Sequence, residues 1–126
     1  MILLDTNILI RMLVPGSPAA QQVVGWIAER AELCTSAVCW YEFISGPVDS
    51  HGIDLVTQTI AGRIIPFTAD QAQEASRLFN ATGRLRRMRI DAMIAAAAIV
   101  SNAWLATANS ADFQTFTSFG LRLDSD

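Results

Sequence analysis

Residues 90–107 read IDAMIAAAAIVSNAWLAT, an alanine-rich apolar segment followed by a short polar break and a second apolar run. The segment from Ile90 to Ser101 is apolar on nearly all sides and predicts a buried helix. Asn102 can take the left-handed conformation that ends a helix, and the run from Trp104 to Thr107 predicts a strand. A buried helix leading directly into a short strand is typical of a parallel sheet covered by helices.

The same alternation of short apolar runs and longer helical patterns extends through the rest of the chain. Strands are predicted at 2–4, 32–35 and 63–67, and 121–123 is a candidate fifth strand. The intervening helices are predicted at about 7–13, from Pro18 onward, at 37–45, at 54–61 and from the cap at Thr68 to about 81. Three of them begin at a predicted N-cap, namely Ser17, Ser36 and Thr68. The second helix has an apolar stripe of Val23, Val24, Ile27 and Ala31. The fold class is α/β, with a mostly parallel, four- to five-stranded sheet and helices on both faces.

Composition excludes several classes of protein. The chain has 126 residues, of which 52% are hydrophobic and 17% charged, and this predicts a single domain over residues 1–126. All nine basic residues are arginine, which excludes a P-loop lysine and Schiff-base chemistry. The start of the chain lacks the basic region of a signal peptide, and its apolar runs are too short to span a bilayer. A cytoplasmic location is expected.

The two cysteines, Cys34 and Cys39, are too few for a disulfide scaffold of this size. With His51, which lies in a predicted loop, they could supply three zinc donors, but their spacing matches no recognised zinc motif. Buried free thiols are the favoured interpretation.

Four acids fall where predicted strands end or in the helices beside those ends. Asp5 directly follows the first strand, and Asp112 lies a few residues beyond the fourth. Asp91 opens the alanine-rich helix, and Glu42 lies within the short helix after the second strand. Taken singly, Asp5 could be a helix cap and Asp112 a turn residue. Asp91 could be an acid favoured at a helix N-terminus, and Glu42 could face solvent. Taken together they favour a site, because parallel sheets bind ligands beyond the carboxyl ends of their strands.

Carboxylates gathered at one end of a sheet repel one another, so they must either bind protons or surround a cation. Oxygen ligands without a nearby histidine or thiol favour Mg²⁺ or Mn²⁺ over zinc. A cation held by open carboxylates can activate water and stabilise charge on phosphorus, so hydrolysis of a phosphodiester is the expected reaction.

Four segments of the chain resemble the motifs of the PIN-domain ribonucleases, in order and in spacing. They are LLDTNILI at 3–10, YEF at 41–43, IDAMIAAAA at 90–98 and LATANSADF at 105–113. Within that family the chain looks most like the VapC-type toxins of toxin–antitoxin pairs. The resemblance implies a sandwich of helices around a parallel sheet, Mg²⁺- or Mn²⁺-dependent cleavage of RNA, and homodimers.

The resemblance also implies a role for individual residues. Asp5, Glu42, Asp91 and Asp112 match the acids that hold the metal, although some members place the fourth acid at the position of Asn109. Asn109 is neutral here, so it could only orient a carboxylate or a water. Asn7 and Thr107 match polar residues that hold the acids in place, and they could equally be a helix-start asparagine and a strand-end threonine.

A basic strip precedes the third motif. Residues 84–89 contain four arginines, which are Arg84, Arg86, Arg87 and Arg89. Arginine matches phosphate in a fork geometry, and an acidic protein with a net charge of −3 needs a local positive strip to bind RNA. The alternative is a solvated basic turn.

An arginine strip beside a carboxylate pocket is also what a toxin of this family presents to its antitoxin, so an antitoxin partner is expected. Trp26, Trp40 and Phe43 could form a dimer or partner groove, although core packing is the commoner fate of such residues.

Three functions remain open at this point: a metal-dependent endoribonuclease acting as a toxin, an RNA-processing nuclease that is not a toxin, and a non-catalytic RNA- or protein-binding module. The complete set of four acids argues against the last.

Overall fold

The computed structural model describes residues 1–124, and within that range the chain forms four strands and seven α-helices. The strands are β1 (Ile2–Leu4), β2 (Leu33–Ser36), β3 (Ile64–Ile65) and β4 (Trp104–Ala106). The helices are α1 (Thr6–Arg11), α2 (Pro18–Ala28), α3 (Ala37–Ile44), α4 (Ser50–Thr59), α5 (Ala69–Ala81), α6 (Arg89–Val100) and α7 (Ser110–Phe113). Two 3₁₀ segments, Arg86–Met88 and Gln114–Phe119, precede α6 and follow α7.

The sheet has the strand order β3-β2-β1-β4, and all of its pairings are parallel. Ile2 pairs with Leu33 on one side and with Trp104 on the other. The chain therefore builds the sheet outward from β1 in one direction and then returns to add β4 on the other side of β1. In sheets of this kind ligands bind at the point where the strand order reverses, beyond the carboxyl ends of the strands. Here that point lies between the ends of β1 and β4.

The sequence prediction of an α/β fold with a four- to five-stranded parallel sheet is confirmed. The candidate fifth strand makes only an isolated parallel bridge between Leu105 and Leu123. Its two flanking hydrogen bonds run from Leu105 N to Arg122 O and from Asp124 N to Leu105 O, both 2.8 Å long. β3 is also shorter than predicted, because Pro66 has no N–H to extend the ladder.

The central strands and α6 form the core. Leu3, Leu4 and Leu105 are fully buried, and so is the alanine run of α6 from Ala95 to Ala98. Helix α6 packs against α5, α3 and β4. Its small side chains let these neighbours approach closely, which explains why a helix facing the core on so many sides is rich in alanine.

The predicted N-caps are all present. The side chains of Ser17, Ser36 and Thr68 accept hydrogen bonds from the third residue beyond each of them. An additional cap, Asp49, accepts from Gly52 N and starts α4 at Ser50, four residues earlier than predicted. His51 consequently lies in the first turn of a helix, so the predicted loop at this point was wrong.

The apolar stripe predicted for α2 was only partly right. Val23 is buried, but Val24 and Ile27 are 67% and 53% exposed, and Ala19 and Trp26 complete the buried face instead. Phe43 is also buried, and Trp40 is half-buried with its ring 5.5 Å from that of Phe43. The aromatic residues considered for a partner groove are thus largely core residues.

Two further expectations can be compared with the structure. Cys34 and Cys39 are free and buried, as the preferred interpretation required. None of the helices in the described part of the chain is long and apolar enough to cross a bilayer.

Candidate functional site

Asp5 stands at the junction of β1 and α1, next to the point where the strand order reverses. It is the N-cap of α1, and its Oδ1 accepts a hydrogen bond from Thr6 N at 2.8 Å. The residue is only 5% exposed, although a carboxylate is costly to bury. Burial raises its pKa above the ordinary value, while hydrogen bonds from Thr107, Thr6 and Cys39 oppose that rise. The cap explains the position of Asp5 but leaves its buried charge only partly compensated.

Thr107, at the end of β4, donates its hydroxyl proton to Asp5 Oδ2 at 2.7 Å. The direction of this hydrogen bond is fixed, because the same hydroxyl oxygen also accepts from Asn109 N at 3.0 Å and from Asn7 Nδ2 at 3.5 Å. Asn7 Oδ1 in turn accepts from Ala108 N at 3.1 Å. The ends of β1 and β4 are therefore joined by a polar network that holds one oxygen of Asp5. Asn109 enters this network through its backbone N–H.

Cys39 is a contact of the site that the sequence did not reveal. Its Sγ lies 3.7 Å from Asp5 Oδ1 and donates to it. Burial, and then the charge of Asp5, raises the pKa of Cys39 to about 12, so the thiol keeps the proton that it donates. A signal for this contact was present in the sequence, since Cys39 precedes Glu42 by three residues and such residues share a helix face.

Glu42 is exposed on α3, yet it does not simply face water. Its Oε1 accepts a hydrogen bond from the Thr6 hydroxyl at 2.7 Å. Thr6 therefore contacts two acids, Asp5 through its backbone N–H and Glu42 through its side chain. Sequence reasoning did not assign a role to Thr6.

Asp91 shows that the four acids are close enough to interact. It lies half-buried in the first turn of α6, and its pKa is raised to about 6. Burial is the main cause, followed by the charges of Asp5, Asp112 and Glu42, while Arg87 lowers the value slightly. Asp112 itself is exposed in the first turn of α7. The structure thus brings together the four acids that the sequence singled out.

The cluster is open rather than a closed cage. Among residues 1–124, no three histidine, cysteine, aspartate or glutamate side chains lie close enough to enclose a metal ion by themselves. The charges of the other three acids nevertheless act on Asp91, and Mg²⁺ keeps several waters and needs only one or two direct carboxylate ligands. The donor set consists of carboxylate oxygens, which fits Mg²⁺ or Mn²⁺. Cys34 instead donates to Ile2 O at 3.5 Å, and His51 is exposed on α4, so these residues do not join Cys39 in a zinc site.

The arginine strip divides into two pairs. The guanidinium groups of Arg84 and Arg89 lie over the ring of Phe79, with 5.4 and 5.7 Å to its centroid. Arg86 and Arg87 lie in the 3₁₀ turn before α6 and are exposed. Arg87 lines a cleft of about 240 Å³ whose opposite wall includes Asp112.

Replacing Asp91 by asparagine is expected to stabilise the metal-free protein at pH 7.5 by about 1 kcal/mol. The raised pKa means that the folded state binds this proton more tightly than the unfolded state, so stability is lost as pH rises through about 6. The difference between the ordinary pKa of aspartate and about 6 corresponds to about 3 kcal/mol of folding free energy. The expected effect is smaller, because solvent reaches the Asp91 carboxylate and because a helix N-terminus favours an acid. Urea unfolding between pH 5 and pH 8 measures the effect.

The exposed Asp54 on α4 provides the matched control for that experiment, because Asp54→Asn makes the same chemical change outside the cluster. An Asp91→Asn variant that is no more stable than Asp54→Asn at pH 7.5 would contradict the electrostatic description of the site.

The fold and the site define an α/β protein with four acids at the reversal of its strand order. The sequence model of the PIN domain family matches residues 2–116 of the chain. The chain therefore belongs to the PIN domain family, and the family resemblance inferred from its motifs is confirmed.

Solved structures agree with this assignment. The chain is 27% identical to one in a toxin–antitoxin complex from Klebsiella pneumoniae, over 90% of each chain and with a TM-score of 0.71. It is 22% identical to a chain of FitAcB from Neisseria gonorrhoeae, over 98% of this chain and 97% of that one, with a TM-score of 0.71. It is 17% identical to a chain of DNA-bound VapBC from Salmonella typhimurium, over 98% and 96% of the two chains, with a TM-score of 0.75. At 22% and 17% identity, the last two similarities show a shared fold and nothing more. No curated protein is similar enough to the chain to count as a match.

Proposed function

We propose that this chain is a divalent-metal-dependent endoribonuclease and that Asp5, Glu42, Asp91 and Asp112 hold the cation. The observation that carries the proposal is the gathering of four carboxylates, in which burial and then the charges of Asp5, Asp112 and Glu42 raise the pKa of Asp91. Such a cluster costs free energy unless a proton or a cation offsets it. Membership of the PIN domain family supports the assignment.

The chemistry fits a cation that is bound through oxygen and keeps part of its water shell. When bound, Mg²⁺ or Mn²⁺ would activate a water molecule and stabilise negative charge on the phosphorus of the scissile bond. Asp5 is the ligand whose position is best fixed by the protein. Its Oδ2 accepts one hydrogen bond, from Thr107, within the described part of the chain, so that oxygen retains acceptor capacity.

The remaining residues orient the acids or meet the substrate. Thr107 and Cys39 fix the Asp5 carboxylate from opposite oxygens, and Thr6 fixes Glu42. Partners of this kind typically change metal affinity or activity 10- to 100-fold when removed. Arg86 and Arg87 are placed to bind the RNA backbone, since arginine pairs with phosphate through two parallel hydrogen bonds.

The proposal is tested by incubating the protein with a labelled single-stranded RNA and with a DNA of the same sequence. We expect the RNA to be cut in the presence of Mg²⁺ or Mn²⁺ and the DNA to remain intact. An RNA that stays intact with either cation, across oligonucleotides of varied sequence, would refute the proposed activity.

We also propose that this nuclease is the toxin of a toxin–antitoxin pair and binds a cognate antitoxin. The support is the 27% identity to a chain of a toxin–antitoxin complex and the shared fold with chains of FitAcB and VapBC. An RNA-processing nuclease that is not a toxin is the second candidate. The discriminating observation is whether the adjacent upstream reading frame encodes a small DNA-binding protein. Pairing of two copies of the chain remains a prediction, which light scattering would test.

A further inference from the structure

Two clefts flank the acid cluster on different elements. One is the cleft of about 240 Å³ between the turn before α6 and the start of α7, with Arg87 and Asp112 in its walls. The other has a volume of about 420 Å³ and lies between α1, α2 and the segment after β4. Its walls include Arg11, Gln22 and Thr107.

Each cleft has a wall residue that belongs to the acid cluster or hydrogen-bonds to it. Thr107, in the larger cleft, hydrogen-bonds Asp5 at 2.7 Å, and Asp112, in the smaller cleft, is itself one of the four acids. Both clefts therefore adjoin the site.

Both clefts contain an arginine that is available for a ligand. Arg11, the last residue of α1, is exposed, and its side chain has no hydrogen bond, ion pair or ring contact with any residue in 1–124. Within residues 1–124, the side chain of Arg87 makes one hydrogen bond, to the sulfur of Met88 at 3.7 Å. By contrast, five other arginines are engaged with protein groups, namely Arg63, Arg77, Arg84, Arg89 and Arg122.

We infer that Arg11, in the larger cleft, binds a backbone phosphate of the substrate strand, so that the strand is held there as well as at Arg87. This inference rests on the proposed function and adds a substrate contact outside the arginine strip. Apolar walls such as Ile8 and Val14 in the larger cleft suit the face of a base, and Gln22 can hydrogen-bond its edge.

A nucleic acid accounts for these clefts better than a protein segment does. The two clefts that adjoin the carboxylate cluster each hold an arginine, as a chain of regularly spaced phosphates bound to a cation would require. An acidic protein segment could pair with the arginines, but its carboxylates would then be placed beside four acids that already repel one another.

The test is the affinity of a fluorescein-labelled single-stranded RNA for the full chain carrying Asp91→Asn, which keeps the RNA uncut. Adding Arg11→Gln is expected to weaken binding about tenfold, the usual scale for a lost charge-assisted hydrogen bond. It should also reduce the slope of log affinity against log salt concentration by about 0.7, the value for one lost phosphate contact on a single strand.

Arg30→Gln is the matched control. Arg30 is exposed in the turn before the amino end of β2, at the opposite end of the sheet, and it too lacks a partner among residues 1–124. It should leave affinity and salt slope unchanged, although it alters the net charge by the same amount. If Arg11→Gln leaves RNA affinity and salt slope unchanged, as Arg30→Gln should, the inference is wrong. It is wrong also if Arg11→Gln weakens the binding of an antitoxin while RNA binding stays unchanged. A failure of the wild type to cut RNA would refute the proposed function, and this binding measurement is independent of that result.

Discussion

Cleavage of single-stranded RNA is expected to fall by at least about a thousandfold when Asp5 is replaced by asparagine. Asparagine has the same shape, and its Oδ1 can still accept the hydrogen bond from Thr6 N, so α1 should remain capped, although its amide NH2 cannot accept from Thr107 Oγ1 as Asp5 Oδ2 does. What it lacks is the negative charge that would hold the cation. A loss of this size corresponds to about 4 kcal/mol of transition-state stabilisation. Initial cleavage rates and melting temperatures of the two proteins provide the measurement.

Asp49 offers an unusually close control for this substitution. It is the N-cap of α4, as Asp5 is of α1, and it accepts from Gly52 N at 2.8 Å, whereas Asp5 accepts from the adjacent Thr6 N. Asp49→Asn therefore makes the same change at the same kind of helix start, outside the acid cluster, and should leave cleavage intact. If Asp5→Asn keeps more than about a tenth of the wild-type rate, Asp5 is a structural cap and the proposed metal site fails.

Thr107→Val is expected to reduce cleavage by about 10- to 100-fold, the range typical of residues that orient a metal ligand. Valine has nearly the same shape, but it removes the donor to Asp5 Oδ2 and the acceptor for Asn109 N and Asn7 Nδ2. The carboxylate is then held only through Oδ1 and can rotate away from its position beside β4. The affinity for Mn²⁺, measured by calorimetry, should weaken together with the cleavage rate.

Two companion variants separate this effect from a general loss of stability. Thr107→Ser retains the hydroxyl and should restore most of the rate. Thr59→Val removes a hydroxyl that hydrogen-bonds Leu55 O within α4, and it should have no effect on cleavage. An unchanged rate and Mn²⁺ affinity in Thr107→Val would show that the network around Asp5 is not needed.

Much of the fold could be predicted from local signals. The three apolar residues before Asp5 fixed the position of the first strand, and the alanine run before Asn102 fixed the buried helix. Asn102 does adopt a positive φ of 54°. The serine and threonine caps were equally readable because an N-cap acts on backbone groups only three residues away.

What the sequence missed depends on tertiary contacts. Val24 and Ile27 have the periodicity of a core face, but α2 turns Trp26 inward instead, and both residues are left exposed. A one-residue rotation of this kind cannot be read from a helix that is apolar on more than one side. The segment at 121–123 has the composition of a strand, yet only Leu123 forms a bridge to Leu105.

The candidate site shows the same division. The four acids stood out because each lies at or beside a strand end, and parallel strands bring those ends together. Thr6 was missed because nothing in a threonine by itself signals a hydrogen bond to a distant acid. Cys39 was missed although its spacing from Glu42 places the two residues on one helix face. Arg11 was missed for a related reason, since only the packing of α1 against α2 makes it the wall of a cleft.

The most direct test of the central claim is a cleavage assay with and without divalent cations on the wild type, Asp5→Asn and Asp91→Asn. We expect the wild type to cut RNA with Mg²⁺ or Mn²⁺, to stop when a chelator is added and to resume when the cation is restored. Both variants should remain folded and inactive under every condition. Cleavage that survives chelation, or that survives both substitutions, would contradict the account of these four acids as a metal-dependent nuclease site.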